Sequence, residues 1–133
     1  MKHTNPETRQ QLIAAAIEAR RNAYAPYSQF AVGAALLCET GDIVTGCNVE
    51  NSVFGLSICA ERVAACKATS ETRGRIIVVA IAASPLAPPC GACRQFLAEF
   101  NLQMEVISFD VVSGAEKAWV LAELLPDAFR LVK

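Results

Sequence analysis

The sequence predicts an α/β fold, and three observations point there. From residue 43 onward the chain reads strand, helix, strand, helix, strand, an alternation that favours parallel strands joined by crossovers. Residues 76–82 are a continuous apolar run rich in Ile and Val, the pattern of a strand buried on both faces. Hydrophobic residues make up 53% of the 133 and charged residues 19%, which fits a packed chain and excludes a disordered one. The length is read as a single domain over residues 1–133. With a formal net charge of -1 and no long run of one sign, no basic face for nucleic acid is expected. No apolar run approaches the roughly 20 residues of a membrane span. The N-terminus is polar and lacks the apolar core of a signal peptide. These features predict a cytoplasmic protein with reduced thiols and no membrane partner.

Each element has its own signal. Asn5 can cap a helix, Pro6 suits its first position, and Glu7 favours the positive end of its dipole. Leu12, Ala16, Ala19 and Ala23 fall on one stripe with Ile13 and Ile17 beside it, predicting a helix from about 6 to about 23. Pro26 ends it. Val32–Glu39 and Ile43–Cys47 read as strands of a hairpin around the turn at Thr40-Gly41-Asp42. A loop follows over 48–58. An alanine-rich helix spans 60–70 with Cys59 at its start. The 76–82 strand is followed by a loop from Ala83 to Pro89 containing three prolines. A helix over 91–100 places Phe96, Leu97 and Phe100 on its apolar face. Glu105–Phe109 is a strand, and a short last helix includes Leu121, Leu124 and Leu125 and stops before Pro126.

The chemistry lies in two stretches, Cys59-Ala60-Glu61-Arg62 and Pro89-Cys90-Gly91-Ala92-Cys93. Together they form C-x-E and P-C-x-x-C, close to the described signature of zinc-dependent nucleobase deaminases. Both stand at predicted helix starts beyond strands that leave one sheet edge, so they can converge. A helix N-terminus lowers a thiol pKa, and zinc needs the thiolate. Cys59, Cys90 and Cys93 supply three ligands, which leaves a fourth position open, as in a catalytic site. Three thiolates on one dication acidify water less than three imidazoles do. Glu61 could accept the proton of a zinc-bound water, being two residues from a ligand. Arg62 could donate charge-assisted hydrogen bonds to a thiolate, on the order of 1.5–3 kcal/mol each.

Blander readings compete with this one. A redox pair would use C-x-x-C alone and leave Cys59 and Glu61 idle. A structural zinc would want a fourth ligand, and Cys66 lies about two helical turns from Cys59. The single histidine, His3, is in the terminal segment and is excluded as a ligand. Cys38, Cys47 and Cys66 are read as small buried hydrophobes. Asn48 and Glu50, two apart in extended chain, point the same way and could bind a sugar hydroxyl, although turn-forming and solvated side chains are the commoner explanation. Phe30 and Phe129 default to the core.

These residues resemble the small, homotetrameric cytidine deaminases. The likeness runs through Tyr24-Ala25-Pro26-Tyr27-Ser28-Gln29-Phe30, Val32-Gly33-Ala34-Ala35-Leu36, Thr45-Gly46-Cys47-Asn48-Val49-Glu50-Asn51, the two cysteine motifs with Arg94 and Gln95, and Glu123-Leu124-Leu125-Pro126. It implies a three-layer α/β/α sandwich around a five-stranded mixed sheet. It implies deamination of cytidine and deoxycytidine to uridine and deoxyuridine by zinc hydroxide attack on C4, in pyrimidine salvage. By the same resemblance one zinc per chain is held by Cys59, Cys90 and Cys93, Glu61 shuttles protons and Arg62 neutralises thiolate. Asn48 and Glu50 bind ribose, the Ala60 backbone contacts the base, and Phe30 and Phe129 wall the base pocket, the latter from a neighbouring subunit. Ala31 stands where the family usually has proline, Phe54 where tyrosine is common, and the 83–88 loop looks short. The competing expectations are deamination of another cytosine-bearing nucleoside of the blasticidin type, a zinc-stabilised binding module without catalysis, and polynucleotide editing. Glu61 argues against the second and the absence of a basic excess against the third.

Overall fold

The computed structural model describes residues 4–131. A helix, α1 (Pro6–Arg20), leads into a hairpin of β1 (Gly33–Cys38) and β2 (Ile43–Cys47). Then come α2 (Ala60–Ser70), β3 (Ile76–Ala83), α3 (Gly91–Ala98), β4 (Glu105–Asp110), β5 (Glu116–Val120) and α4 (Leu121–Leu124), with a single 3₁₀ turn at Phe54–Leu56. The five strands form one sheet in the order β2-β1-β3-β4-β5. β3 and β4 are parallel, and the other neighbouring pairs are antiparallel. The sheet is therefore mixed. β1 lies between β2 and β3 and opposes both, so β2, β3 and β4 still run the same way and end at one edge.

Side chains alternate across the sheet and create two cores. On one face, Leu12, Ile13 and Ala16 of α1 pack against Ala35, Val78, Ala80, Ala82 and Ile107. On the other, Ala64, Ala65 and Ala68 of α2, Leu97 of α3 and Leu121 of α4 pack against Ala34, Leu36, Val79, Ile81 and Val106. Each fully buried leucine or isoleucine contributes about 1.5–3 kcal/mol by leaving water. Two glycines set how closely the helices approach. A Cβ on Gly33 would stand 2.0 Å from the Ala16 carbonyl oxygen, and one on Gly46 would stand 2.6 Å from the Ala64 nitrogen. Gly46 thus lets the first turns of α2 rest directly on β2, which seats Cys59 and Glu61 over the sheet edge.

The structure departs from the sequence reading in several places, α3 among them, which ends at Ala98 and not 100. α1 stops at Arg20, not 23, because Tyr24 leaves to pair with Val49: Tyr24 N–H donates to Asn48 O at 2.9 Å and Glu50 N–H to Tyr24 O at 2.9 Å. The buried face of α1 is Leu12, Ile13 and Ala16, while Ile17 is exposed and Ala19 turns partly outward. The loop over 48–58 carries a bridge between Val49 and Ile58. β5 is an additional edge strand, polar at Glu116 and Lys117, folded onto β4 through a turn with Gly114 at φ 80°. Cys66 is exposed and Cys47 only half-buried, while Cys38 is buried as expected. α2 buries Ala64, Ala65 and Ala68, which leaves Cys66 and Lys67 on its outer side. His3 lies outside the described residues.

Candidate metal centre and active site

Cys59 is the N-cap of α2 and Cys90 the N-cap of α3, with Cys93 in the first turn of α3. Their three Sγ atoms lie within 4.8 Å of one another. A tetrahedral zinc with bonds of about 2.3 Å holds its sulfurs about 3.8 Å apart, so these cysteines close on an ion with movements of about an ångström. Cys66 is not part of the cluster. The Cys93 N–H donates to Cys90 Sγ at 3.4 Å, and Arg62 Nη2 donates to Cys59 Sγ at 3.5 Å. The Arg62 Nε is buried without a partner among the described residues, so the charge of nearby sulfur accounts for keeping the guanidinium there.

The electrostatics also call for a cation. Hydrogen bonds from the Cys93 thiol, followed by Arg62, pull Cys59 down to about 5. Cys93 is driven upward, first by its bond to Cys59 and then by burial. Sulfurs this close resist ionising together. A dication would allow the sulfurs to ionise together. Glu61 is 5% exposed. Burial pushes its carboxyl up to about 7, and the Cys59 charge adds to this. The donor set, its spacing and the adjacent arginine all fit zinc.

These groups form one end of a cavity of about 260 Å³ lined by Cys59, Ala60, Glu61 and Cys90, and at its other end by Ser28, Phe30, Asn48 and Glu50. That is near the lower end of small-ligand sites, roughly 300–1,000 Å³. Its walls are mainly apolar, from Val32, Ile81, Ala83, Ala87 and Pro88. β4 holds one of these walls. Ser108 Oγ donates to Ala87 O at 2.7 Å, and Asp110 accepts from Leu86 N–H at 3.2 Å. Backbone N–H groups of Val112 and then Ser113 keep Asp110 at about 2. Arg94 pins the approach to Cys90 by donating to Pro89 O at 2.8 Å and Leu124 O at 2.9 Å.

At the outer end, side chains hold backbone. Asn48 Oδ1 accepts from Val32 N–H at 3.0 Å, and its Nδ2 donates to Phe30 O at 2.8 Å. Glu50 Oε1 accepts from Tyr27 N–H at 3.0 Å and Ser28 N–H at 3.1 Å, and its Oε2 accepts from the Ser28 hydroxyl. An amide and a carboxylate each retain capacity for a ligand hydroxyl. Phe30 is thus a cavity wall and not core. Phe129 does not line the cavity of its own chain; the residue is 67% exposed, and its carbonyl accepts from Gln95 Nε2 at 3.1 Å.

The fold therefore brings together Cys59, Glu61, Cys90, Cys93, Ala60, Asn48, Glu50 and Phe30, with Arg62 beside Cys59, and leaves Phe129 outside. Sequence reasoning had no signal for Ile81, Ala87 or Pro88, whose role as walls is tertiary. Ser28 had one available: a hydroxyl two residues before an aromatic residue that it can turn toward.

Residues 6–109 match the family model of the cytidine and deoxycytidylate deaminase zinc-binding region. The chain is 46% identical over 123 residues to a cytidine deaminase of Halalkalibacterium halodurans, covering 91% of this chain and 93% of that protein. It is 47% identical over 123 residues to a cytidine deaminase of Sporosarcina psychrophila, covering 90% of each. The crystal structure of cytidine deaminase from Burkholderia pseudomallei superposes with a TM-score of 0.86 at 39% identity, over 96% of this chain and 100% of that one.

Proposed function

The chain belongs to the zinc-dependent cytidine deaminases, and from that premise we propose that it hydrolyses the free nucleosides cytidine and deoxycytidine to uridine and deoxyuridine with release of ammonia. The observation that carries the reading is the buried Glu61 lining the same cavity as Cys59 and Cys90, two members of the three-cysteine cluster. The three cysteines would hold one zinc per chain, and Arg62 would offset thiolate charge. Bound zinc supplies Lewis acidity that brings water closer to ionisation at neutral pH.

The chain's residues do the rest. Glu61 takes a proton from the attacking water, delivers it to N3 of the base, and moves a second proton to the amine leaving C4. A C4–O bond forms, the C4–N bond breaks, and ammonia departs. The Ala60 backbone and the Phe30 ring orient the base, while Asn48 and Glu50 read the sugar. The apolar walls limit bulk water and strengthen each of these polar contacts.

The family name covers nucleosides and nucleotides, and the lining favours the former. Among the described residues no Lys or Arg lines this cavity or the adjoining recess of Tyr27, Ser28, Glu50, Asn51, Phe54 and Ser57. A phosphate would meet the Glu50 carboxylate with no cation to offset it. The reading also includes a single domain, cytoplasmic pyrimidine salvage and a homotetramer in which Phe129 closes a neighbour's pocket, supported by that ring's exposure.

The test is loss of ultraviolet absorbance by the zinc-loaded protein on cytidine, deoxycytidine, cytosine, deoxycytidine monophosphate, a blasticidin-type nucleoside and single-stranded oligonucleotides. Turnover of the two free nucleosides is expected to dominate. Preference for the monophosphate, the antibiotic or the oligonucleotide would overturn the substrate assignment, and no turnover of any would leave a binding module.

A further inference from the structure

We propose that Ser28 is a positioning residue that sets the enzyme's discrimination for sugar hydroxyls by fixing the Glu50 carboxylate. The proposal rests on the reading of Glu50 as a sugar-binding group. A serine hydroxyl has one proton and two lone pairs. At Ser28 the oxygen accepts from Phe30 N–H at 3.0 Å, and the hydroxyl donates to Glu50 Oε2. The first contact turns the second: with a lone pair committed to Phe30 N–H, the O–H is aimed at the carboxylate. Gln29, between the two, adopts a left-handed backbone with φ 57°, which a non-glycine residue rarely takes. Its N–H donates to Ala25 O at 3.0 Å. The turn thus places the exposed Ser28 hydroxyl between Phe30 N–H and the Glu50 carboxylate.

Glu50 is held at both oxygens. Oε1 takes the Tyr27 and Ser28 N–H groups, and Oε2 takes the Ser28 hydroxyl. An ionised carboxylate has about four acceptor positions, so three donors leave about one for a ligand. The Ser28 hydroxyl is the first cause of the lowered pKa of Glu50, consistent with a donor to the charged form. Both residues line the cavity. Without the hydroxyl, Oε2 is freed while Oε1 stays tied. The carboxylate can then rotate and present its acceptors to water instead of to the sugar. Among the described residues Ser28 hydrogen-bonds with Glu50 and Phe30 and not with Cys59, Glu61 or Cys90, so the metal end keeps its geometry.

The experiment measures kcat/KM for cytidine and for 2′,3′-dideoxycytidine in the zinc-loaded wild type, Ser28→Ala, Ser28→Thr, Glu50→Ala and the Ser28→Ala/Glu50→Ala double variant, with zinc content and melting temperature recorded. Ser28→Ala is expected to lower the cytidine-to-dideoxycytidine ratio about tenfold, near the lower worth of a hydrogen bond to a charged group. The fall should lie in KM for cytidine, with kcat preserved. Ser28→Thr keeps the hydroxyl and the ratio, and the double variant falls no further than Glu50→Ala. Equal losses on both substrates in Ser28→Ala would make the residue merely structural and overturn the proposal. A collapsed ratio in Glu50→Ala with an unchanged one in Ser28→Ala would overturn it while leaving the Glu50 reading intact. An unchanged ratio in Glu50→Ala would remove both.

Discussion

At the metal end of the cavity every candidate group sits at the cap or first turn of a helix; at the sugar end every one sits on a loop. Cys59 and Glu61 open α2, and Cys90 and Cys93 open α3. Both helices are seated on the same buried face of the sheet. A side-chain change there should alter chemistry and leave shape alone. Asn48 and Glu50 are different, because each already holds backbone of residues 27–32. The residues that would read the sugar also build the wall facing it. A change there removes a ligand contact and loosens the loop together, so one substitution should have two readouts.

The largest effect expected tests the metal end. Cys90→Ala should abolish zinc retention and turnover, because two thiolates do not complete a stable site. Its melting temperature should fall, since a metal bound only by the native state stabilises it. Zinc analysis beside calorimetry checks this, and stoichiometric zinc in the variant would contradict the ligand assignment. Glu61→Gln comes next. It should keep zinc, fold and KM while losing roughly 10²–10⁴-fold in kcat, the usual contribution of a positioned general acid–base group. Near-normal turnover would remove Glu61 from the mechanism.

Asn48→Ala tests the sugar end. It should weaken nucleoside use by about 1–3 kcal/mol, the penalty for leaving a buried polar partner unsatisfied. Zinc should stay bound. The Val32 amide loses its acceptor, so its hydrogen exchange should accelerate in the free enzyme. A raised KM with unchanged Val32 exchange would mean that Asn48 serves the ligand alone, and the contrast between the ends would shrink.

The same contrast explains what the sequence made legible. Cys90 and Cys93 are three apart at a helix start, and Glu61 is two from Cys59; local geometry turns such spacings into a site before tertiary structure is known. The α2 boundaries and the buried β3 run were legible for the same reason, since alanine-rich helix and Ile/Val strand are local signals. β5 was not, because an exposed edge strand carrying Glu116 and Lys117 needs no apolar alternation. Cys66 was misread because its outward direction depends on which side of α2 meets the sheet. The bonds from Asn48 and Glu50 back to residues 27–32 span 16 to 23 positions, and no local pattern announces them.

Phe129 sharpens the comparison last and with the smallest expected effect, because it would belong to the sugar-and-base end of a different chain. Phe129 is 67% exposed, and Phe54 and Leu131 are exposed at 80% and 75%. Gln95, two residues beyond Cys93, holds the Phe129 carbonyl, so the tail is tied to the metal-bearing helix while Phe129 does not line that chain's own cavity. An exposed ring contributes little within one chain, and Phe129→Ala should shift the stability of an isolated chain by no more than about 0.5 kcal/mol. If the ring stacks on the base in a neighbour's pocket, the variant should lose about 1 kcal/mol in kcat/KM, the low end of a base–aromatic stack. Mixing chains separates these cases. Refolding Phe129→Ala together with the inactive Glu61→Gln chain makes assemblies in which some pockets combine an intact Glu61 with a neighbour's intact Phe129. Those pockets should recover the wild-type KM, although neither parent assembly has it together with turnover. Light scattering should show a tetramer throughout. A fully active native monomer, or mixed assemblies that keep the KM of Phe129→Ala, would confine each active site to one chain.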